Sequence, residues 1–395
     1  MKTRPENYVI RVHADPGELA MPAWNALLAT QAQPTPFMRL EYLQALHQSR
    51  SATADTGWQP QFIGIWEGDE LLAACPVWLK SHSYGEYVFD WAWADAYRRH
   101  GLEYYPKLLV AVPFTPVPGC RLLARNEETR ALLVQALQAL AEQQGLSSIH
   151  LLFGAPQDHQ AATNHAWLQR EGVQFHWTQR VPEPFVDFQD FLAALQREKR
   201  KKIQQEQRRV REAGVSFKAL EGPAITEQAW DFFYHCYQLT YRAHHSTPYL
   251  TRDFFRLMSE TMAANWLLFI AMRDGVPIAA SLLALDPERG AAFGRYWGAI
   301  EQIPCLHFDA CYYQPLAWCI EHGYRRFEGG AQGEHKMARG LLPVPTQSSH
   351  WLAHPDFSDA VAEFLAREGQ AMRGYVNELE EHQPFKAGTS AQSPK

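Results

Sequence analysis

The residues best suited to chemistry lie late in the chain, in the segment FEGGAQGEHKMARGLLP at 327–343. Ionisable side chains collect there behind a strand-like run, and loops at strand ends commonly carry binding or catalytic sites. His335, with an ordinary pKa of about 6.5, can accept a proton from an incoming amine. Glu334 is the alternative base, and Glu328 is a third candidate catalytic residue in the cluster.

Three glycines give this segment an unusual backbone. Gly329, Gly330 and Gly333 permit close approach or positive φ angles and can leave amide donors free for an oxyanion. Lys336 and Arg339 then offer positive charge for an anionic part of a donor or acceptor. No nucleotide-binding fingerprint is present, because both the G-x-G-x-x-G and the Walker patterns are missing. The alternative interpretation is a solvent-exposed connecting loop whose charged side chains take no part in chemistry.

A second candidate site is the aromatic block at 86–107, EYVFDWAWADAYRRHGLEYYPK. Rigid aromatic rings with a few charges can line a ligand cleft, and they are equally common as ordinary core material. Both interpretations stay open from the sequence. The candidate ligand-binding residues in this block are Trp91, Trp93, Asp95, Tyr104 and Tyr105.

A third candidate is the basic run REKRKKIQQEQRRVR, from Arg197 to Arg211. Leu195, Ile203 and Val210 interrupt it at helical intervals, which predicts a basic amphipathic helix. Such a helix can bind the phosphates of RNA or anionic lipid headgroups, or it can be a solvated connector between domains.

The elements that must position these residues follow a repeated order. Period-two runs and turn signals predict a β-hairpin in each half of the chain, followed by further strands and helices. This order predicts an α/β (α+β layered) fold with mixed sheet pairing. The repeated hairpin favours an internal duplication, and the alternative is that any α/β chain offers hairpins at such intervals. The predicted strands are 61–66, 71–80, 107–114, 147–153, 266–272, 277–285, 291–299 and 324–328, and the predicted helices are 36–47, 127–144, 227–241, 251–264 and 306–322.

Composition restricts the class of protein. The 395 residues are 46% hydrophobic and carry a net charge of -6, so a large core is expected and generic polyanion binding is not. The six cysteines are scattered without metal-ligand spacing, which argues against a disulfide framework or a metal site. With no apolar run long enough to cross a membrane and no signal-peptide pattern, we expect a cytoplasmic protein.

Several long motifs together resemble a known bacterial family. These are YGEYVFDWAWADAYRRHGLEYYPKLLVAVPFTPV, the basic REKRKKI helix, STPYLT and FEGGAQGEHKMARGLLPV. They are similar to the predicted N-acyltransferases described as peptidoglycan biosynthesis/recognition proteins, relatives of the Fem aminoacyltransferases. The resemblance covers about 36–380, nearly the whole chain.

The resemblance implies two tandem GNAT-like acyltransferase domains with mixed, mainly antiparallel sheets. The expected boundaries are 1–182 for the first domain, 183–218 for a basic helical connector, 219–383 for the second domain and 384–395 for a disordered tail. In GNAT enzymes the donor carbonyl lies against a central strand. By analogy, that strand here is 291–299, which makes Tyr296 a candidate substrate-binding residue.

The implied donor is acyl-CoA or aminoacyl-tRNA. At 299–306, AIEQIPCL lacks the glycines of the usual pyrophosphate loop and carries Glu301, which leaves coenzyme A in doubt. The helix from Arg197 to Arg211 is a candidate tRNA contact and a candidate peripheral membrane contact. The expected function is N-acyl transfer to an amine acceptor. The alternative is a non-catalytic binding module that recognises cell-wall precursors or RNA.

Overall fold

The structure is a computed structural model that describes residues 8–330 and 333–386. The chain forms two compact units. Unit 1 comprises Met1–Gly172 and Pro345–Gly374, and unit 2 comprises Val173–Val344 and Tyr375–Lys395.

Every predicted strand and helix has a counterpart in the structure, and several further elements, among them the long last helix, were not predicted. The strands are β1 (Tyr8–His13), β2 (Trp58–Pro60), β3 (Phe62–Glu67), β4 (Glu70–Cys75), β5 (Trp78–Lys80), β6 (Lys107–Val110), β7 (Leu123–Ala124), β8 (Ser148–Leu152), β9 (Leu168–Thr178), β10 (Val215–Glu221), β11 (Trp266–Arg273), β12 (Val276–Asp286), β13 (Ala291–Ala299), β14 (Arg326–Glu328) and β15 (Leu342–Leu352). The helices are α1 (Met21–Ala29), α2 (Leu40–Gln48), α3 (Trp91–Arg99), α4 (Glu127–Gln143), α5 (Pro156–Asn164), α6 (Phe188–Ala194), α7 (Arg197–Glu212), α8 (Glu227–Ala243), α9 (Arg252–Thr261), α10 (Leu306–Phe308), α11 (Gln314–Glu321) and α12 (Pro355–Glu381).

Unit 1 contains two sheets. The first is antiparallel, with strand order β1-β3-β4-β7. In the second sheet, β2, β5 and β6 pair antiparallel, β6 and β8 pair parallel, and β8 and β15 pair antiparallel. Helix α4 makes the crossover between the parallel strands and buries Leu133, Val134 and Leu137 in the unit 1 core.

Unit 2 is built on strands β10 to β14, with part of β9 as a further strand. β10, β11, β12 and β13 pair antiparallel in sequence order, β13 and β14 pair parallel, and β14 pairs antiparallel with β9. The crossover from β13 to β14 runs through α10 and α11, with a π-helical segment, Asp309–Tyr313, between them. The unit 2 core includes Trp177, Phe191, Leu283 and Phe327.

Both units share one local arrangement of strands. β5, β6, β8 and β15 in unit 1, and β12, β13, β14 and β9 in unit 2, each pair in the order antiparallel, parallel, antiparallel. The expectation of a mixed α/β fold with mainly antiparallel sheets is therefore confirmed.

The division of the chain differs from the expected contiguous domains. Residues 345–374 return to unit 1, and the boundary between units falls at Gly172–Val173 rather than at 182. The basic helix α7 belongs to unit 2, where Ile203 and Val210 are fully buried, so it is not a connector. Its apolar residues lie on one face, and burying them against unit 2 is favourable.

Of the expected disordered tail, 384–395, the structure describes only residues 384–386. Phe385 is buried in the unit 2 core and forms a β-bridge with Leu195, so the tail prediction is wrong at this position. An aromatic side chain in a polar tail has enough apolar surface to be worth burying. The remainder of the predicted tail, 387–395, lies outside the described residues.

One close contact in unit 2 gives a direct test of the fold. A Cβ at Gly298 of β13 would lie 1.9 Å from the backbone oxygen of Cys236 on α8. We expect Gly298→Ala to destabilise the protein by more than about 3 kcal/mol, because the helix must move away from the sheet. Thermal denaturation followed by circular dichroism measures this effect. Gly374→Ala is the control: its Cβ would meet no atom within 4 Å in α12, and it should be neutral or stabilising by up to about 1 kcal/mol. A wild-type melting temperature for Gly298→Ala would contradict the packing described.

Candidate functional site

The candidate site in unit 2 is the place where two parallel strands separate. β13 and β14 pair only from Ala291–Arg326 to Phe293–Glu328, and β14 ends there. From Gly294 onward, this edge of β13 has no strand partner among the described residues. A register shift against β12 also leaves Arg295 as an extra residue in β13. The two strands therefore diverge directly in front of the glycines that follow β14.

The glycines at the end of β14 are shaped for close approach. A Cβ on Gly329 would lie 2.7 Å from a Leu341 methyl group, and Gly330 has a φ of +88°. Gly333 has a φ of +117°, and a Cβ there would overlap the His335 ring at 2.3 Å. Only glycine fits these conditions without strain, as the sequence pattern predicted.

His335 is exposed and lies in a short 3-10 helix, Glu334–Arg339. Its Nε2 atom is 3.3 Å from the Tyr312 hydroxyl, and Tyr312 belongs to the π-helical segment. Partial burial, together with the positive charges of Arg339 and Lys336, lowers the pKa of His335. The imidazole is therefore neutral at pH 7 and available to accept a proton.

Lys336 lies beneath Gly329, Gly330 and Gly333, which we call the glycine loop. It is only 2% exposed, and its Nζ donates a hydrogen bond of 2.8 Å to the backbone oxygen of Gly330. Burial lowers the pKa of Lys336 to about 8. A buried ammonium that loses its proton so close to neutrality is typical of groups that act in catalysis.

Glu328, the last residue of β14, is buried between two side chains. Its Oε1 lies 3.3 Å from Nε of Arg326, and its Oε2 lies 3.7 Å from Nε2 of His176 on β9. His176 is also within 3.1 Å of the Gln174 side-chain oxygen. Burial, followed by the charges of Arg326 and Lys336, lowers the pKa of His176 to about 3, so this ring is neutral.

Glu334 and Arg339 have partners that sequence reasoning did not predict. The Tyr375 hydroxyl donates to Oε1 of Glu334 at 2.5 Å, which ties α12 to the loop. Arg339 is 2% exposed and pairs through Nη2 with both carboxylate oxygens of Glu206, at 3.1 and 3.2 Å.

The Arg339 side chain is held from several directions. Its Nη1 donates 2.7 Å to the backbone oxygen of His335, and its guanidinium lies 3.5 Å from the centroid of the Phe308 ring. Glu206 also accepts a hydrogen bond from Tyr313. These contacts anchor the 3-10 helix to α7 through Arg339. The expected contact of Arg339 with an anionic group of a substrate stays a prediction.

Tyr296 lies on β13 just beyond the separation. Its hydroxyl accepts a hydrogen bond of 3.1 Å from Nη2 of Arg295. Its ring packs edge-on against Tyr237 at 5.0 Å, and Tyr237 packs against Tyr241 at 4.8 Å. A half-buried group of tyrosines therefore lies beside the separated strands.

In the aromatic block at 86–107, some side chains are core material and others are exposed to solvent, so each of the two interpretations from the sequence applies to part of it. Trp93 and Tyr104 are buried in a core cluster of unit 1, whereas Trp91 is 41% exposed. Asp95 and Tyr105 are partly exposed, and Asp95 pairs with Arg98 and Arg99. These residues belong to unit 1, and the glycine loop belongs to unit 2.

The outer face of α7 borders a concave, positively charged surface. A cavity of about 570 Å³ is lined only by basic and amide side chains: Gln189, Lys201, Gln204, Gln205, Gln207, Arg208 and Arg211. On the opposite face of α7, Glu206 holds Arg339 of the glycine loop. The basic surface and the loop are thus attached to the same helix.

Glu206, the unpredicted partner of Arg339, could have been recognised from the sequence. Glu206 follows Ile203 by three residues and precedes Val210 by four, so it falls on the apolar face of a helix that is otherwise basic. A lone carboxylate on an apolar face needs a buried cation. For His176 and Tyr312, no comparable signal exists, because their partners are distant in the chain.

Two general features of the described residues bear on the type of protein. Among 8–330 and 333–386, no three His, Cys, Asp or Glu side chains meet in a way that could hold a metal ion. Within the same ranges, no helix combines the length and the apolar character needed to cross a membrane.

Comparison with solved structures shows which proteins share this fold. FemX has a TM-score of 0.52 at 9% identity, covering 87% of this chain and 99% of that one. The L-PGS structure from Bacillus licheniformis has a TM-score of 0.53 at 11% identity, covering 90% and 99%. The C-terminal domain of a putative lysylphosphatidylglycerol synthetase from Agrobacterium fabrum has a TM-score of 0.53 at 10% identity, covering 88% and 95%. At such low identity, these similarities show the fold alone.

The sequence itself gives the family. No curated protein sequence matches this chain significantly. The FemAB-like family, described as peptidoglycan biosynthesis/recognition, matches residues 16–387. Because this match covers nearly the whole chain, the protein belongs to the FemAB-like family.

Proposed function

We propose that this protein is an N-acyltransferase that moves an activated acyl or aminoacyl group to an amine in peptidoglycan-related metabolism. The observation that carries the proposal is the separation of β13 and β14 after Phe293, next to Gly329, Gly330 and Lys336. Where two parallel strands diverge, a backbone N–H can donate a hydrogen bond to a donor carbonyl, and the buried Lys336 ammonium lies close to this point.

The reaction begins with the donor carbonyl held against β13, where this strand diverges from β14. The lone pair of a neutral amine attacks the carbonyl carbon, and negative charge develops on its oxygen. The Gly329 N–H already donates to the backbone oxygen of Phe175, so the backbone amide of Gly330 and the Lys336 ammonium stabilise that charge. The intermediate collapses when the thiol or ribose hydroxyl of the donor leaves and the new amide bond remains.

His335 is the proposed general base. Its imidazole is neutral at pH 7 because its pKa is lowered, it is exposed, and Tyr312 lies within 3.3 Å to orient the ring. It accepts a proton from the attacking nitrogen and can return one to the leaving group. Glu334 then serves to fix the loop through Tyr375. Buried Glu328, flanked by Arg326 and His176, supplies fixed negative charge near the attacking amine.

The sequence leaves two donors open, acyl-CoA and aminoacyl-tRNA, and two features of unit 2 favour the second. Glu301, where a coenzyme A loop would bind phosphate, pairs with Arg273 at 2.6 Å and has no adjoining glycine. The basic cavity along α7 offers Lys201, Arg208 and Arg211 without an acidic residue in its lining. We therefore propose aminoacyl-tRNA as the donor, with its phosphates along α7.

A cytoplasmic location is part of the proposal, since both charged tRNA and soluble precursors are found there. None of the six cysteines, all of which lie within the described residues, forms a disulfide, which fits a reducing compartment.

The pH dependence of turnover tests the roles of His335 and Lys336. The base works when neutral, so activity should be lost as the pH falls through the lowered pKa of His335, below about 6.5. Lys336 works when charged, so activity should also fall as the pH rises through about 8. We expect His335→Gln to reduce turnover about 10²-fold and remove the acidic limb. Lys336→Met should remove the alkaline limb.

His235→Gln is the matched control, because His235 is an exposed histidine on α8 of the same unit. It should keep both the rate and the profile of the wild type. A His335→Gln enzyme with unchanged turnover would exclude His335 as the base. Binding of donors without turnover, across a panel of acyl-CoA and aminoacyl-tRNA, would instead favour a binding module.

The salt dependence of tRNA binding tests the donor. Replacing Lys201, Arg208 and Arg211 by Gln should weaken tRNA binding. The logarithm of the association constant should then fall less steeply with the logarithm of the salt concentration, with the magnitude of the slope reduced by about 2. Filter binding over a salt series measures this slope. Arg256→Gln is the control, since Arg256 is exposed on α9 and already paired with Asp253 and Glu260. An unchanged slope in the triple variant would contradict RNA binding along α7.

A further inference from the structure

Unit 1 contains a cavity that the proposed reaction does not use. Its volume is about 570 Å³, within the range of small-molecule sites. The lining residues that matter here are Trp91, Asp95, Arg98, Glu103, Tyr104 and Tyr105. Aromatic rings and charged side chains thus meet in one hollow of a single unit.

The rim of this cavity presents a large aromatic surface to solvent. Trp91 is 41% exposed at the start of α3, and its ring lies 5.0 Å from that of Tyr84, which is 59% exposed. Phe89 and Leu102 of the same segment are also exposed. Clustered exposed apolar side chains mark interaction sites, whereas single ones are ordinary.

The floor of the cavity is fixed in place by buried hydrogen bonds. The Tyr104 hydroxyl donates 2.6 Å to Oδ2 of Asp90 and lies 3.0 Å from Nε2 of His150. The Tyr105 hydroxyl is 2.8 Å from Oγ of Ser83. Because each hydroxyl is anchored, both rings present a fixed face to the cavity.

A buried lysine holds these anchors together. The Nζ of Lys107 donates to Ser83 and Glu86 at 2.8 Å each, and to Asp90. Although burial opposes ionisation, the Lys107 ammonium lowers the pKa of Asp90, so the pair is charged. Buried ion pairs contribute little net stability compared with apolar packing. The desolvation free energy that these buried charges cost is better explained by the fixed positions that they give to Tyr104 and Tyr105.

The polar wall of the cavity carries two carboxylates, Asp95 and Glu103, and one guanidinium, Arg98. Asp95 pairs with Arg98 and also with Arg99, which lies outside the lining. The lining therefore does not favour an anion. Carboxylates and guanidinium groups still offer paired acceptors and donors in fixed, planar geometry.

A ligand that has one apolar face, several hydroxyl groups and no negative charge fits this lining best. A pyranose ring meets these requirements, because its C–H face packs on an aromatic ring while its neighbouring hydroxyls hydrogen-bond to planar charged side chains. We propose that this cavity is a saccharide-binding site, in which Trp91 stacks on the sugar ring and Asp95, Arg98 and Glu103 bind its hydroxyls. The proposal does not depend on the acyl-transfer function.

Saturation-transfer NMR and calorimetry on the full chain test this site. The neutral probes are cellobiose and N-acetylglucosamine, and the charged probes are glucosamine and glucuronate. We expect binding of a neutral sugar, at least about tenfold weaker in Trp91→Ala and partly restored in Trp91→Phe. Phe364→Ala, which removes a comparably exposed ring elsewhere in unit 1, is the matched control and should bind as the wild type does.

Each contrary outcome would overturn the proposal. These outcomes are no binding of either neutral sugar, equal binding by Trp91→Ala and wild type, or binding of a charged sugar alone. Circular dichroism confirms that each variant is folded, and the exposure of Trp91 makes unfolding by its replacement unexpected. Loss of acyl transfer with intact sugar binding would overturn the proposed reaction and leave this site standing.

Discussion

The separation of two parallel strands is the constraint on which the unit 2 site depends. A parallel pair needs a long crossover, and here α10, the π-helical segment and α11 supply it between β13 and β14. The crossover returns the chain to the sheet at Arg326, opposite Ala291, and because β14 stops at Glu328 the pairing with β13 ends at Phe293. The glycine loop begins there, and the π-helical segment brings Tyr312 within reach of His335. Irregular helical turns of this kind recur at functional sites.

Buried charge is used for positioning in both units. In unit 2, Glu206 and Arg339 link the basic helix to the segment that carries His335 and Lys336. In unit 1, Lys107 holds the carboxylates and hydroxyls behind Tyr104 and Tyr105. Neither arrangement is an efficient source of stability, because removing charges from water costs several kcal/mol per ion. Each arrangement fixes side chains that a ligand would contact, which is a reason for retaining it.

Local pattern predicted the elements well. The strand expected at 291–299 has those bounds, the hairpins at 61–80 and 266–285 form, and α7 begins at Arg197 as predicted. Periodicity succeeds here because each of these elements buries one face or a continuous apolar run. The glycine pattern also predicted the tight loop at the end of β14.

Contacts between residues that are far apart in the chain could not be predicted from local sequence patterns. Glu206, the partner of Arg339, lies 133 positions away, and no local rule connects the two residues. Trp91 and Trp93 look equivalent in sequence, yet the helical turn exposes one and buries the other. The contiguous domain boundaries differ from the structure because 345–374 return to unit 1, a long-range connection without a local signal.

The most direct test of the account is a crystal structure with a non-transferable donor analogue, prepared as both an aminoacyl-adenosine amide and a stable acyl-CoA thioether. The account predicts that the aminoacyl analogue binds unit 2 with its carbonyl oxygen within hydrogen-bond distance of a backbone N–H of β13 beyond Phe293. The His335 ring should face the carbonyl carbon from the side open to an amine. An analogue bound away from this strand edge, or with Lys336 and His335 both out of reach of the carbonyl, would contradict the central claim.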